Sequence, residues 1–266
     1  MARQIPSHMH VHRDLFLAVG SVVVIPLILF SCTSPKTHGA PEGSGARTKL
    51  VLPASLEPRR DAFALQVDSA LEIVRSFAHD HGWDSLVVEA FMDSVMVFDR
   101  KPDFDHQLLV LAEADTTLEL PATYCGALER RTLLVASPEY YAEVYPEGIE
   151  PHSWVKLLAH EIAHRLHVRI LRGDEEAMGP IWFYEGFAIH AADQLRNAAP
   201  VLDSTAMRAV MDDPERGSYA AYGAVFTYFE QRLGLDRMLQ WAEQGEPVES
   251  LWEVPSRPAE RTPLPK

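Results

Sequence analysis

An α+β architecture, with a small sheet lobe followed by a helical lobe, is what this 266-residue sequence predicts, and three observations carry it. Short β-branched or aromatic runs cluster between residues 94 and 136, each bounded by Pro, Gly or charged residues. After Pro151 the pattern changes to long stretches with apolar residues three and four apart, the spacing of helix faces. Composition is 47% hydrophobic and 23% charged, enough to bury one sizeable core.

Taken in chain order, the N-terminus lies outside that core. Arg3 and Arg13 precede an apolar stretch from Leu15 to Phe30 that ends in Ser31-Cys32, the order of an export signal over residues 1–31. A small residue followed by cysteine resembles the lipobox of bacterial lipoproteins, which implies Cys32 as the lipidated first residue. An uncleaved membrane anchor is the alternative; the stretch is short for a span and is interrupted by Gly20 and Pro26. Both place the rest of the chain outside the cytoplasm, tethered to a membrane in the cell envelope. Residues 32–60 are rich in Pro, Gly and Ser and read as a flexible tether. Residues 255–266 hold four prolines and read as a loosely packed tail.

Residues 61–254 are expected to form the domain. Asp61–Asp80 has helical spacing, with Phe63, Leu65, Val67, Leu71, Val74 and Phe77 on its apolar side. Strands are predicted at Ser94–Phe98, Gln107–Leu111, Ala122–Leu128 and Thr132–Ala136, completing a sheet lobe over about 61–150. Helices are predicted over 153–171, 181–196, 218–233 and 235–243, making a helical lobe over about 151–245, with Gly173-Asp174 and Gly234 as stops.

The chemistry concentrates in that second lobe. His160-Glu161-Ile162-Ala163-His164 is an H-E-x-x-H, in which residues four apart share a helix face and two imidazoles can hold one metal ion. Glu161 lies beside them as a general base. Trp154, Leu157, Leu158, Ile162 and Leu166 supply packing positions, so the helix is expected to be well buried, where polar side chains need partners such as a metal. A net charge of −14 with no compensating basic stretch argues against a nucleic-acid partner. With Cys32 lipidated, Cys125 has no disulfide partner and reads as a buried small hydrophobe.

A second segment, Trp182-Phe183-Tyr184-Glu185-Gly186-Phe187-Ala188, follows the H-E-x-x-H. The pair resembles the gluzincin zinc metallopeptidases, the group of thermolysin and the aminopeptidase N-like enzymes. The second segment is similar to the W-L-N-E-G-F-A of the aminopeptidase branch, with Phe183 and Tyr184 in place of Leu and Asn. The resemblance implies a zincin-like catalytic domain with its active-site helix at the cleft. It also implies one zinc ion on His160, His164 and Glu185, Glu161 as general base, and a peptide or protein substrate. Twenty residues separate His164 from Glu185, slightly more than is usual in that branch, and the extra ones fall in Gly173–Gly179, where a turn absorbs them.

Ser218-Tyr219-Ala220-Ala221-Tyr222 resembles the segment that carries the oxyanion donor in this group, which implies Tyr219 for that role, with Tyr222 as the alternative. Gly126-Ala127-Leu128-Glu129-Arg130 has some likeness to the G-A-M-E-N loop of the aminopeptidases, with Leu128 and Arg130 departing from it. Substrate is expected along an edge strand supplied by Tyr124–Ala136. His167 lies seven residues past His160, roughly 10 Å along a helix axis, and reads as a packing or outer residue. Asp193 and His190 are candidates to hold the ligand histidines from behind. Two other functions stay open: an envelope binding or scaffold protein with a vestigial zinc site, and a non-peptide zinc hydrolase.

Overall fold

The computed structural model describes residues 48–213 and 217–253. The export signal, Cys32, most of the tether and the Pro-rich tail lie outside the described residues. Four strands form one sheet: β1 (Lys49–Val51), β2 (Ser94–Phe98), β3 (Gly126–Glu129) and β4 (Thr132–Ala136). Their order is β1-β2-β4-β3, with β1, β2 and β4 parallel and β3 antiparallel on the outer edge. The α+β class is therefore as predicted.

Nine α-helices accompany the sheet among the described residues: α1 (Arg60–Asp80), α2 (Lys101–Leu111), α3 (Pro138–Val144), α4 (Ser153–Ile170), α5 (Ile181–Ala191), α6 (Ser204–Asp212), α7 (Tyr219–Leu233), α8 (Leu235–Glu243) and α9 (Glu249–Glu253). Alternation along the strands separates the two faces of the sheet. Val95, Val97, Leu133 and Val135 join α1 and α4 in one core cluster, whereas Leu134 and Phe98 join Phe104, Leu108 and Leu109 of α2 in another. The sheet is thus covered by α1 and α4 on one side and by α2 on the other. Trp154 of α4 donates from its indole nitrogen to Ala136 O at 2.7 Å, tying that helix to the end of β4.

A third cluster fills the helical lobe, built around α5 and α7. The two helices meet closely because two glycines remove side chains at their contact. A Cβ at Gly186 would lie 2.6 Å from Phe226 Cβ, and one at Gly223 would lie 2.9 Å from Ile189 Cγ2. The glycine of the W-x-x-E-G-F-A segment is explained by this packing. Where α5 ends, Asp193 takes φ 53° and Gln194 N bonds back to Ile189 O at 2.9 Å, a left-handed cap that stops the helix at Ala191.

Several sequence expectations are corrected. Gln107–Leu111 is the last turn and a half of α2, not a strand; Phe104, Leu108 and Leu109 are its buried face, and five apolar residues alone do not distinguish the two periods. The strand expected over Ala122–Leu128 is confined to Gly126–Glu129, preceded by a turn in which Tyr124 N bonds to Pro121 O. The tether ends earlier than residue 60, because Lys49–Val51 pairs with Ser94–Met96 as β1 and a 3-10 turn covers Glu57–Arg59. Leu65 of α1 is 68% exposed and lies off the apolar face. The helix expected over 181–196 stops at Ala191, and α3, α6 and α9 were not anticipated. Among the described residues no helix is long and apolar enough to cross a membrane.

Candidate metal centre

Helix α4 runs along the floor of a cleft of about 860 Å³, between the sheet edge and the helical lobe. Leu157, Leu158, Ile162 and Leu166 anchor one flank of the helix in the sheet-side core, and Ala163 joins the helical-lobe cluster. That anchoring leaves His160, Glu161 and His164 on the cleft wall. Helix α5 brings Glu185 to the same wall.

Three side chains converge there. His160 Nε2 lies 3.0 Å and His164 Nε2 3.5 Å from Glu185 Oε2, and the two Nε2 atoms are 3.1 Å apart. Tetrahedral zinc with ligand bonds near 2.05 Å sets its donors roughly 3.3 Å apart. The observed spacings bracket that figure, so the donor set fits one such ion without rearrangement of the backbone. His160 and Glu185 are 3% and 2% exposed, and buried groups of this kind need charge or hydrogen-bond compensation. His160, His164 and Glu185 therefore form a group that can hold a metal ion.

Glu161 sits against the sheet edge. A Cβ placed on Gly126 would lie 2.5 Å from Glu161 Oε1, so only glycine at this point of β3 lets the carboxylate occupy its position. Its neighbour Cys125 is buried, and burial pushes its thiol pKa up to about 12, which leaves it protonated and unsuited to nucleophilic work.

The two candidate tyrosines separate clearly. Tyr219 opens α7 after Ser218, whose hydroxyl caps Ala221 N, and it lines the cleft with its ring 5.8 Å from that of His160. Tyr222 is 1% exposed, and its hydroxyl accepts a hydrogen bond from Gly217 N. The Tyr219 ring thus lies near that of His160, and the Tyr222 hydroxyl meets the turn before the helix.

The outer residues do not all fall where expected. Asp193 turns towards Lys156 Nζ at 3.6 Å, and Lys156 also reaches Glu150 at 3.4 Å, so these charges join the start of α4 to the end of α5. His190 packs between Phe77 and Phe226, and burial lowers its pKa. Neither residue supports the ligand histidines, whose Nδ1 atoms are buried without a hydrogen-bond partner among the described residues. His167 is fully buried and stacks on Phe187 at 4.4 Å, and its pKa is driven down to about 3 by burial first and by His164 second. It packs the helix interface and is not among the converging ligands.

Three cleft residues were not singled out for these places: Gly126, whose missing side chain admits Glu161; Tyr145, whose ring lies 6.3 Å from that of Tyr219; and Tyr184, whose ring lies 5.9 Å from that of His164. Two of them had a signal: Tyr184 adjoins Glu185 on the helix, and Gly126 opens the segment Gly126–Arg130 noted in the sequence. Comparison with protein-family models, with curated proteins and with solved structures finds no match for the chain.

Proposed function

We propose that the chain is a membrane-tethered, extracytoplasmic zinc metallopeptidase of gluzincin type, with a zincin-like catalytic domain. The observation that carries this is the convergence of His160 Nε2, His164 Nε2 and Glu185 Oε2, with Glu161 beside them at the sheet edge. His160, His164 and Glu185 would hold the zinc ion, which would supply a Lewis acid for the scissile carbonyl and the attacking water. Glu161 takes the proton from that water and delivers it to the leaving nitrogen. Tyr219 donates its hydroxyl hydrogen to the oxyanion as the carbonyl becomes tetrahedral. The outer edge of β3 offers main-chain groups to an extended peptide, which lies across Glu161 at Gly126. Cys32 provides the lipid attachment.

The test is mass-spectrometric mapping of cuts in a mixed peptide library by residues 33–266 loaded with zinc, beside Glu161→Gln. Cuts made by the parent are expected to fall by about 10²- to 10⁴-fold in the variant, the usual contribution of a general base, while both proteins bind one equivalent of zinc. A zinc-loaded parent that makes no cuts overturns the proposal in favour of a binding protein or a non-peptide hydrolase. Chelation that unfolds the chain would mark the ion as structural.

A further inference from the structure

The cleft does not end on the face of the sheet that carries the metal group. It continues round β3 to the opposite face, where Leu108 and Ala112 from the C-terminal end of α2 line it together with Pro121, Tyr124 and Ala127. Strand register explains how one cleft reaches both faces. Gly126 and Leu128 point towards α4, whereas Ala127 pairs with Leu134 and faces α2. A peptide laid along the outer edge of β3 keeps the same period of two. Its residue level with Gly126 places its side chain over Glu161, and the next one, level with Ala127, turns its side chain into the α2 side.

We infer that this chamber on the α2 side is a substrate subsite for a large apolar side chain, such as Leu, Met or Phe, adjacent in sequence to the residue lying over Glu161. The inference rests on the peptidase proposal above and adds the sequence preference of the substrate. The chamber wall is apolar: Leu108 is 3% and Ala112 7% exposed, and the Tyr124 ring packs towards Phe104 at 6.5 Å. The charges at this end are Glu113, Arg130 and Glu129, the last of which shares the face of Ala127. Arg130 approaches that carboxylate at 4.0 Å and pairs with Glu113 at 2.7 Å, so the chain supplies its own cation at this end. A cationic substrate side chain would have to displace it, whereas an apolar one fills the chamber beside it.

The test uses the full chain with zinc and a peptide library, comparing the cleavage-site profiles of the parent, Ala127→Phe and Tyr124→Ala. The parent is expected to favour Leu, Met or Phe over Ala by roughly 10- to 100-fold at one position flanking the bond, the selectivity of an apolar pocket. Ala127→Phe fills the chamber and shifts that position, and no other, towards Gly and Ala. Tyr124→Ala enlarges it and extends the preference to Trp, which keeps the idea testable should the first variant not fold. In fluorescence anisotropy with the metal-free chain, Ala127→Phe should weaken binding of Leu-containing peptides relative to their Ala counterparts. A cutting parent whose profile neither variant moves, or one that prefers Lys or Arg at this position, removes the subsite and leaves the peptidase proposal standing. A zinc-loaded parent that cuts nothing overturns both.

Discussion

His167 gives the most quantitative consequence of this packing. Its ring is fully buried against Phe187, and burial lowers its pKa from 6.5 to about 3. The unfolded chain therefore binds a proton that the folded chain refuses across that interval. The group leaves stability untouched above about pH 6.5 and erodes it as the pH falls towards 3. At pH 5 the difference amounts to 1.5 pH units at 1.36 kcal/mol each, about 2 kcal/mol. Replacing His167 with Phe keeps a flat ring on Phe187 and removes the titration. Urea unfolding of the parent and His167→Phe, both in EDTA, should show the parent losing about 2 kcal/mol more than the variant between pH 7 and pH 5. His190 is present in both proteins, so the comparison reads the change made at His167. Any overpacking by the larger ring displaces the variant equally at both pH values. Parallel losses in the two proteins would refute the argument, since His167 would then reach its proton in the folded state.

Three substitutions test the cleft itself. Gly126→Ala puts a Cβ 2.5 Å from Glu161 Oε1 and must displace that carboxylate; kcat should fall by about 10-fold or more while zinc stoichiometry and the thermal midpoint stay near the parent's, measured by peptide hydrolysis, metal analysis and calorimetry. Glu185→Gln removes the charged member of the ligand group, so chelator competition should show zinc affinity reduced by more than ~100-fold, beyond the loss typical of an outer partner. The stabilisation of the parent by added zinc should shrink with it. Gly186→Ala sets a Cβ 2.6 Å from Phe226 Cβ and forces α5 from α7; denaturant unfolding should report about 1–3 kcal/mol of lost stability, accompanied by weaker zinc binding because Glu185 moves with its helix.

What could be read from the sequence follows the range of the interaction that decides each feature. The helix that carries His160 and His164 was readable to within a residue, since Trp154 to Leu166 repeats at 3.6 and the helical pattern sets in after Pro151. Convergence of His160, His164 and Glu185 was also readable, because it follows from a local spacing plus one recognisable second segment. The α2 error has the opposite origin: Gln107–Leu111 is apolar enough for either period, and only Phe104 upstream settles it. β1 was hidden because three residues in a polar segment become a strand solely through pairing with Ser94–Met96, some forty-five positions away. Gly126 stood out as the first residue of the Gly126–Arg130 segment, but its place beside Glu161 is a tertiary contact that the segment does not reveal.

The segment that joins α4 to α5 contributes little to the position of Glu185. The connection leaves α4 at Ile170, turns at Gly173 with φ 90°, makes a 3-10 turn over Glu175–Met178 and turns again at Gly179 with φ 85°. None of those residues is fully buried between Arg172 and Pro180, and the segment has little core of its own. Glu185 is instead positioned by the adjoining flank of its helix, where Gly186 seats Phe226 and Gly223 seats Ile189. Lys156 holds the same unit from another direction, reaching Asp193 just beyond the end of α5. Ligand geometry is therefore set by contacts between helices that the connection does not make. A loop of this kind tolerates added length because lengthening it costs little closure entropy, while one methyl group at Gly186 strikes the contact that fixes the third ligand.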